Sequence, residues 1–244
     1  MRKTIDILGV PVDIVTMRDA VEKVMSFLAE NRVHTVYTPN AEIMMAAQRD
    51  GRLKAILKEA DLLVADGAGV VLASRILGKA LPEKVSGIDL VRNIFQEAQY
   101  RGIRFFFFGG RPGVAEDAAA NLVKTYGSLE IVGYRNGYFS PDEEGDIIDR
   151  INSSGADILL VALGAPKQEI WIYEHRNVLN VNVCIGVGGS LDVFAGRAKL
   201  APELLRRNGL EWLYRLYREP WRLGRMMDLP RFMVRVIVAR INSG

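Results

Sequence analysis

The chain has 244 residues, of which 49% are hydrophobic and 25% charged, and its formal net charge is +3. This length and apolar content suit one large globular α/β domain, or one domain with an appendage, and exclude a chain that is mainly disordered. No run of about 18 uncharged apolar residues occurs, so no transmembrane helix is expected, and the single cysteine, Cys184, excludes an internal disulfide and indicates a reducing, cytoplasmic compartment.

The first half of the chain alternates between strand-like and helix-like segments. Apolar residues at helical spacing predict a helix over 16–32, and an apolar stretch predicts a strand over 34–38. Asn40 and Asp50 are placed to begin two further helices, which lead to a strand over 62–65. A helix over 68–77 follows, and Gly78 is expected to end it.

The second half repeats this alternation. The expected order is helix 88–100, strand 103–108, helix 114–126, strand 129–132, a helix from Ser140, strand 157–162, a helix from about Lys167 and strand 181–187. Short glycine-bearing loops join these segments. The alternation predicts a Rossmann-like α/β fold, with a mostly parallel sheet that is covered by helices on both faces.

Polar residues stand where two of the predicted strands end. Thr38 and Asn40 lie at the end of the first, and Asp66 follows the strand over 62–65 directly. In α/β sheets the carboxyl ends of the strands meet at one edge, where ligands are bound. These residues therefore indicate an active site. Helix capping is the alternative for Asn40 and Asp66, because Asn and Asp are favoured N-cap residues.

Two glycine-rich loops and one helix start are candidate phosphate-binding or nucleotide-binding segments. Residues 109–113 follow a strand and precede a helix, where backbone amides can face a phosphate or a ribose. Residues 186–191 do not complete the dinucleotide motif G-x-G-x-x-G, because Leu191 takes the place of the third glycine. Lys167 and Gln168 stand in the first turn of a helix, where acids are favoured, which indicates a ligand role for one of them.

The residue types that are missing restrict the chemistry. The chain has two histidines, His34 and His175, and neither has a partner at the spacing of a metal site or a catalytic triad. No D-x-D pair occurs, the arrangement that holds a divalent metal in many sugar-nucleotide transferases. We therefore expect no metal and no cofactor. A carboxylate base with phosphate-binding loops suits attack by a hydroxyl on a nucleotide-activated group, with arginines and helix dipoles stabilising the departing diphosphate.

The last part of the chain differs in charge from the rest. From Arg206 onward there are nine arginines, no lysine and three acids, a net charge of +6, whereas the first 205 residues carry −3. We expect an α/β domain over 1–200 that carries the transfer chemistry and a helical, basic appendage over 201–244 that contacts anionic headgroups. The apolar residues expected to make this contact are Trp212, Trp221, Leu223, Met226, Met227, Phe232, Val236 and Ile237. The alternative is a helical hairpin that packs on the domain with a solvated arginine face.

Motifs along the whole chain resemble those of one family. They are residues 38–42, 65–67, 86–89, 108–110, 133–134, 137–139, 162–169, 186–196, 197–202, 209–216, 219–222 and 225. From about Thr4 to Arg240, the chain resembles the WecG/TagA/CpsF glycosyltransferases.

The resemblance implies an inverting, metal-independent transfer of an N-acetylmannosamine-type sugar from UDP to N-acetylglucosamine on a membrane diphospho-lipid. It implies that Asp66 is the general base and that Thr38 and Asn40 line the same pocket. The candidate substrate-binding residues are Lys84, Gly109, Gly110, Arg111, Lys167, Gln168, Gly186, Gly188, Gly189, Asp192, Arg215, Arg222 and Arg225. Lys84 stands where many members have arginine, and a lysine cannot make arginine's bidentate contact with a phosphate.

The expected partners follow from the same resemblance. They are a UDP-sugar donor, N-acetylglucosamine linked to polyprenyl diphosphate, and the anionic inner face of the cell membrane, with a homo-oligomer allowed and no nucleic acid. The wall teichoic acid branch of the family uses N-acetylmannosamine, which overall similarity favours, and the enterobacterial branch uses its uronic acid. Two other classes stay open: a nucleic-acid-binding module that uses the basic tail, and a nicotinamide-dependent oxidoreductase, for which the glycine motif fails twice.

Overall fold

The computed structural model describes residues 2–218, 220 and 223–242. Its strands are β1 (Thr4–Ile7), β2 (Val10–Asp13), β3 (His34–Tyr37), β4 (Leu62–Leu63), β5 (Arg104–Gly109), β6 (Glu130–Arg135), β7 (Ile158–Ala162) and β8 (Val183–Gly186). Its helices are α1 (Met17–Phe27), α2 (Ala41–Arg49), α3 (Gly51–Glu59), α4 (Ala68–Ile76), α5 (Gly87–Ala98), α6 (Val114–Tyr126), α7 (Glu144–Ser153), α8 (Lys167–His175), α9 (Ser190–Phe194), α10 (Glu203–Arg207), α11 (Glu211–Arg218), α12 (Leu223–Met226) and α13 (Asp228–Asn242).

A parallel sheet forms the centre of the molecule. Within the described residues it has six strands in the order β4-β3-β8-β7-β5-β6, and every neighbouring pair is parallel. The four phenylalanines of β5 show how both faces are covered, because Phe105 and Phe107 join the core on one face and Phe106 and Phe108 join the core on the other. The α/β fold predicted from the alternation of segments is confirmed.

Side-chain caps begin several helices at the predicted residues. Thr16 and Asp19 form a capping box at the start of α1. The side chain of Asn40 accepts a hydrogen bond of 3.1 Å from the N–H of Ile43 and begins α2, and Asp50 caps α3 in the same way. These short-range contacts are the ones that a sequence pattern reports most directly.

An N-terminal hairpin was not predicted. Strands β1 and β2 pair in antiparallel fashion across a tight turn at Leu8 and Gly9, whose φ angles are 56° and 81°. Such positive angles at both turn residues match the twist of a two-residue hairpin. The hairpin is fixed to the sheet where the Asp13 carboxylate accepts a hydrogen bond of 2.7 Å from the N–H of Leu63 in β4.

The last helix, α13, has two apolar faces. One face packs against α2 and α4 and places Phe232 and Val236, both 0% exposed, in the main core. Its first residue, Asp228, forms a bidentate ion pair with Arg49 of α2, at 2.9 and 2.7 Å. The other face is exposed and consists of Val234, Ile237, Val238 and Ile241.

This packing corrects part of the predicted membrane contact. Phe232, Val236 and Met226 were expected to face the lipid, but they are buried. For Phe232 and Val236 the prediction was wrong because α13 carries apolar residues on two sides, and composition does not say which side packs against the body. Trp221 lies outside the described residues. No helix in the described part of the chain is both long and apolar enough to cross a membrane.

Candidate active site

The turns that follow β3 and β4 lie side by side at the carboxyl edge of the sheet. The N–H of Asp66 donates a hydrogen bond of 3.2 Å to the carbonyl of Pro39, and the N–H of Val64 donates one of 3.1 Å to the carbonyl of Tyr37. A Cβ built on Gly67 would stand 3.9 Å from the Cβ of Asn40. The structure therefore brings Asn40 and the partly exposed Asp66 to one edge.

Helix capping explains Asn40 but not Asp66. Asn40 caps α2 through its side chain. The N-cap of α4 is Gly67, with φ at 95°, and no side chain makes a capping hydrogen bond there. Asp66 thus lies one residue before the cap. Capping of α4 therefore does not account for Asp66, although this was the alternative to a chemical role.

Thr38 meets the start of α5 at the same edge. A Cβ on Gly87, the first residue of α5, would stand 2.8 Å from Thr38 Oγ1, so glycine allows this close approach. The segment before α5 is held against the end of β4, since the N–H of Val85 donates a hydrogen bond of 3.1 Å to the carbonyl of Ala65. This contact sets the backbone next to Lys84 beside the turn that carries Asp66.

The basic tail reaches this edge through a short segment, residues 206–211. Lys84 is ion-paired with Glu211, and Asp89 of α5 is ion-paired with Arg206. Gly209 lies so close to the first residue of α4 that a Cβ on it would stand 2.6 Å from the Cβ of Ala68. The tail segment thus rests on the starts of α4 and α5.

The Asp89 carboxylate is partly buried beneath this contact. Burial acts to raise the pKa of Asp89, but hydrogen bonds from Ser86 and Arg206 and the Arg206 charge outweigh it, so the pKa lies below its ordinary value. Asp89 is therefore ionised at neutral pH and holds Arg206 as a charged partner. Of the predicted tail ligands, Arg222 lies outside the described residues, as do the side chains of Arg215 and Arg225.

The first glycine loop is engaged with the sheet. The N–H of Gly110 donates a hydrogen bond of 3.0 Å to the carbonyl of Ala162, and a Cβ on Gly109 would stand 2.4 Å from the same carbonyl. Close packing on β7 accounts for Gly109 without a ligand. The predicted use of the Gly110 amide as a phosphate donor does not fit this geometry. The exposed Arg111 follows on the solvent side.

Gln168 joins the second glycine loop, residues 186–189. Its Oε1 accepts a hydrogen bond of 3.0 Å from the N–H of Gly188, and a Cβ on Gly186 would stand 2.8 Å from its Nε2. Gly189 is exposed at the end of this loop, and Asp192 follows in α9, half-buried. Because β8 lies between β3 and β7, this loop lies between the Asp66 turn and the Gly109 loop.

Lys167 points to a different place from Gln168. Its Nζ lies 4.7 Å from the centroid of the Phe139 ring, a cation–π contact. Lys167 and Phe139 line a groove of about 250 Å³ that Trp171 also lines. The two residues that begin α8 were predicted as ligands of one donor site, but the structure gives them different neighbours on different sides of the helix.

The described residues contain no group of three or more His, Cys, Asp or Glu side chains placed to hold a metal ion. Of the predicted site residues, the structure brings together at this edge Asp66, Asn40 and Thr38, a carboxylate, an amide and a hydroxyl, with Lys84 and the loop that Gln168 supports close by.

An α/β sheet with a polar ligand-binding edge is compatible with a sugar-nucleotide transferase, and the chain belongs to the glycosyl transferase WecG/TagA/CpsF family, whose model matches residues 5–244. A relative from Bacillus spizizenii is 35% identical over 212 residues, which are 87% of this chain and 82% of the relative. A relative from Staphylococcus aureus strain MW2 is 34% identical over 238 residues, which are 97% of this chain and 93% of the relative. Both relatives are N-acetylglucosaminyldiphosphoundecaprenol N-acetyl-beta-D-mannosaminyltransferases.

Proposed function

We propose that this chain transfers N-acetylmannosamine from UDP to the 4-hydroxyl of N-acetylglucosamine carried on undecaprenyl diphosphate, a step in making the linkage unit of wall teichoic acid. The names of relatives that align with nearly the whole chain support this acceptor and this sugar. The observation that carries the chemistry is the position of Asp66, a partly exposed carboxylate at the ligand-binding edge of the sheet that does not occupy the N-cap position.

Asp66 acts as the general base in this proposal. Its carboxylate takes the proton from the acceptor hydroxyl while the hydroxyl oxygen forms a bond to the anomeric carbon. The bond from that carbon to the diphosphate breaks on the opposite face, and its electron pair leaves with UDP, so the configuration inverts. Thr38 and Asn40 orient the sugars, and Lys84, which is paired with Glu211 in the structure, exchanges that partner for the departing diphosphate and supplies it with a positive charge.

The proposed reaction needs no metal ion. Lysine and the arginines of the tail, among them Arg215, Arg222 and Arg225, neutralise the diphosphate in place of a divalent cation. EDTA should leave the initial rate unchanged. A strict requirement for added magnesium or manganese would refute this part of the proposal.

The tail is also the proposed contact with the membrane, where the lipid-linked acceptor resides. The exposed apolar face of α13, Val234, Ile237, Val238 and Ile241, takes the place of the residues that proved to be buried. Basic residues near an anionic leaflet each contribute about 1 kcal/mol of binding energy, so the tail's arginines and this apolar face together support peripheral, reversible attachment.

A matched pair of variants tests the membrane contact. Val234 of α13 is 60% exposed and Val178 of the body is 58% exposed, so an aspartate at either position meets similar solvent. We expect Val234→Asp to reduce co-sedimentation with anionic vesicles at low salt and Val178→Asp to leave it unchanged. Equal sedimentation of both variants with wild type would remove α13 from the interface.

The Asp66→Asn variant tests the central step. Turnover of UDP-N-acetylmannosamine with a short-chain lipid acceptor should fall by roughly 10²–10⁴, the usual contribution of a general base, while the thermal stabilisation of the protein by UDP persists. Asp50→Asn is the control, because Asp50 caps α3 and asparagine caps as well. Near wild-type turnover in Asp66→Asn would exclude Asp66 as the base. Stabilisation by NAD rather than UDP would indicate an oxidoreductase instead.

A further inference from the structure

Glu169 is a buried carboxyl group that the proposed reaction does not use. It is the third residue of α8 and only 1% exposed. Its Oε1 accepts a hydrogen bond of 2.9 Å from Nε2 of Gln168, whereas its Oε2 has no hydrogen-bond partner among the described residues. Acids are rarely buried in this way without a charged partner.

The environment disfavours the charged form of this group. Burial raises the pKa of Glu169, and the hydrogen bond from Gln168 offsets only part of the effect. No lysine or arginine is paired with it in the described part of the chain. An apolar residue of similar size would be the better choice for stability alone, so the presence of the carboxyl needs another reason.

The hydrogen bonds of Gln168 supply that reason. Its Oε1 accepts from the N–H of Gly188, and its Nε2 donates to Glu169. A side-chain amide can be turned by 180°, which exchanges the oxygen and the nitrogen. Only one of the two orientations satisfies both neighbours, because Gly188 offers a donor and the Glu169 Oε1 offers an acceptor. The Gly188 N–H already favours the amide oxygen on its side, and Glu169 adds to this preference by accepting from the nitrogen, so it helps to hold Gln168 in the orientation that supports the loop over 186–189.

We infer that Glu169 is a positioning residue for the sugar nucleotide: it fixes the Gln168 amide and, through it, the loop over 186–189 that borders the donor site. This inference rests on the proposed function, since it takes that loop to meet the UDP-sugar. Glu169 itself is too deeply buried to touch the donor. Its effect should therefore fall on donor binding and be transmitted entirely by Gln168.

Steady-state kinetics of four variants test the inference. Glu169→Gln mimics the neutral acid and keeps an acceptor, so its KM for UDP-N-acetylmannosamine should stay within about twofold of wild type. Glu169→Leu should raise that KM about tenfold with little change in kcat, because a tenfold change is the effect expected for one lost hydrogen bond. Gln168→Leu should raise KM at least as much. The double variant Gln168→Leu, Glu169→Leu should match Gln168→Leu alone, because both changes remove the same chain of contacts.

Hydrogen exchange separates this inference from the proposed function. In Glu169→Leu the peptide that contains Gly188 should exchange its amide faster than in wild type, and in Glu169→Gln it should not, whatever the substrate is. If Glu169→Leu does not fold, Glu169→Met provides the same test with a flexible apolar chain of similar length. Unchanged exchange and KM in the apolar variant, or additive effects of the Gln168 and Glu169 changes, would overturn the inference. A wild-type protein that neither turns over nor binds the UDP-sugar would refute the proposed function and leave the exchange test intact.

Discussion

Substituting Phe232 tests whether the last helix belongs to the folded body or to a separate appendage. Phe232 is 0% exposed and packs in the core cluster that also holds residues of α2 and α4. Replacing a fully buried phenylalanine by alanine costs about 3–5 kcal/mol, from lost burial and from the cavity that remains. In a chain of 244 residues, where each kcal/mol shifts the melting temperature by roughly 2–4 °C, the Phe232→Ala variant should melt roughly 6–20 °C lower than wild type.

The measurement is a thermal melt of the full chain by circular dichroism and calorimetry. Ile241→Ala is the control, because Ile241 lies on the same helix and is 72% exposed, so its melting temperature should match wild type. A main transition that stays in place in Phe232→Ala, preceded by a small separate loss of helix, would refute the coupling. In that case the predicted boundary at residue 200 would hold for the whole tail; a shifted main transition would instead assign α13 to the body.

Three further predictions concern other contacts. The hydrogen bond from Arg49 lowers the pKa of Asp228, so the pair stabilises α13 at neutral pH and this contribution is lost as the pH falls through the lowered pKa. The difference in melting temperature between wild type and Asp228→Asn should therefore shrink on acidification. An unchanged difference would show that the pair contributes nothing. Burial raises the pKa of the Cys184 thiol, so a thiol reagent at pH 8 should label it only after denaturation; labelling of the native protein would contradict its burial. Glu211→Gln should speed tryptic cleavage of the tail, and adding Lys84→Gln should not speed it further; additive rates would show that the two residues act separately.

Local patterns predicted much of this molecule, because their causes lie within a few residues. Asn40 and Asp50 begin helices by accepting backbone hydrogen bonds from residues two or three positions ahead, which a sequence displays directly. The parallel sheet followed from the alternation of segments. The alternating Ile5, Ile7, Val10 and Val12 could have indicated the hairpin in the same way, since all four are buried.

Contacts between residues that are far apart in the sequence could not be predicted from such patterns. The pair of Lys84 and Glu211 joins residues that are 127 positions apart, and nothing local indicates that a predicted phosphate ligand has a carboxylate partner in the tail. The two apolar faces of α13 look alike in sequence, and only the position of Arg49 and the surfaces of α2 and α4 decide which face is buried. The same holds for Lys167 and Gln168, adjacent residues that lie on different sides of α8.

Two ion pairs join residues 206–211 of the tail to the body, and the tail supplies the acid in one and the base in the other, which limits the positions that the tail can take. At Lys84 the body supplies the cation and Glu211 of the tail the anion, whereas at Asp89 the body supplies the anion and Arg206 of the tail the cation. If the tail slid until these partners were exchanged, Arg206 would face Lys84 and Glu211 would face Asp89. Repulsion between like charges would oppose that arrangement. A purely basic peptide could satisfy only one of the two positions, so Glu211, the one acid among residues 206–211, makes the seating of this segment selective for one register.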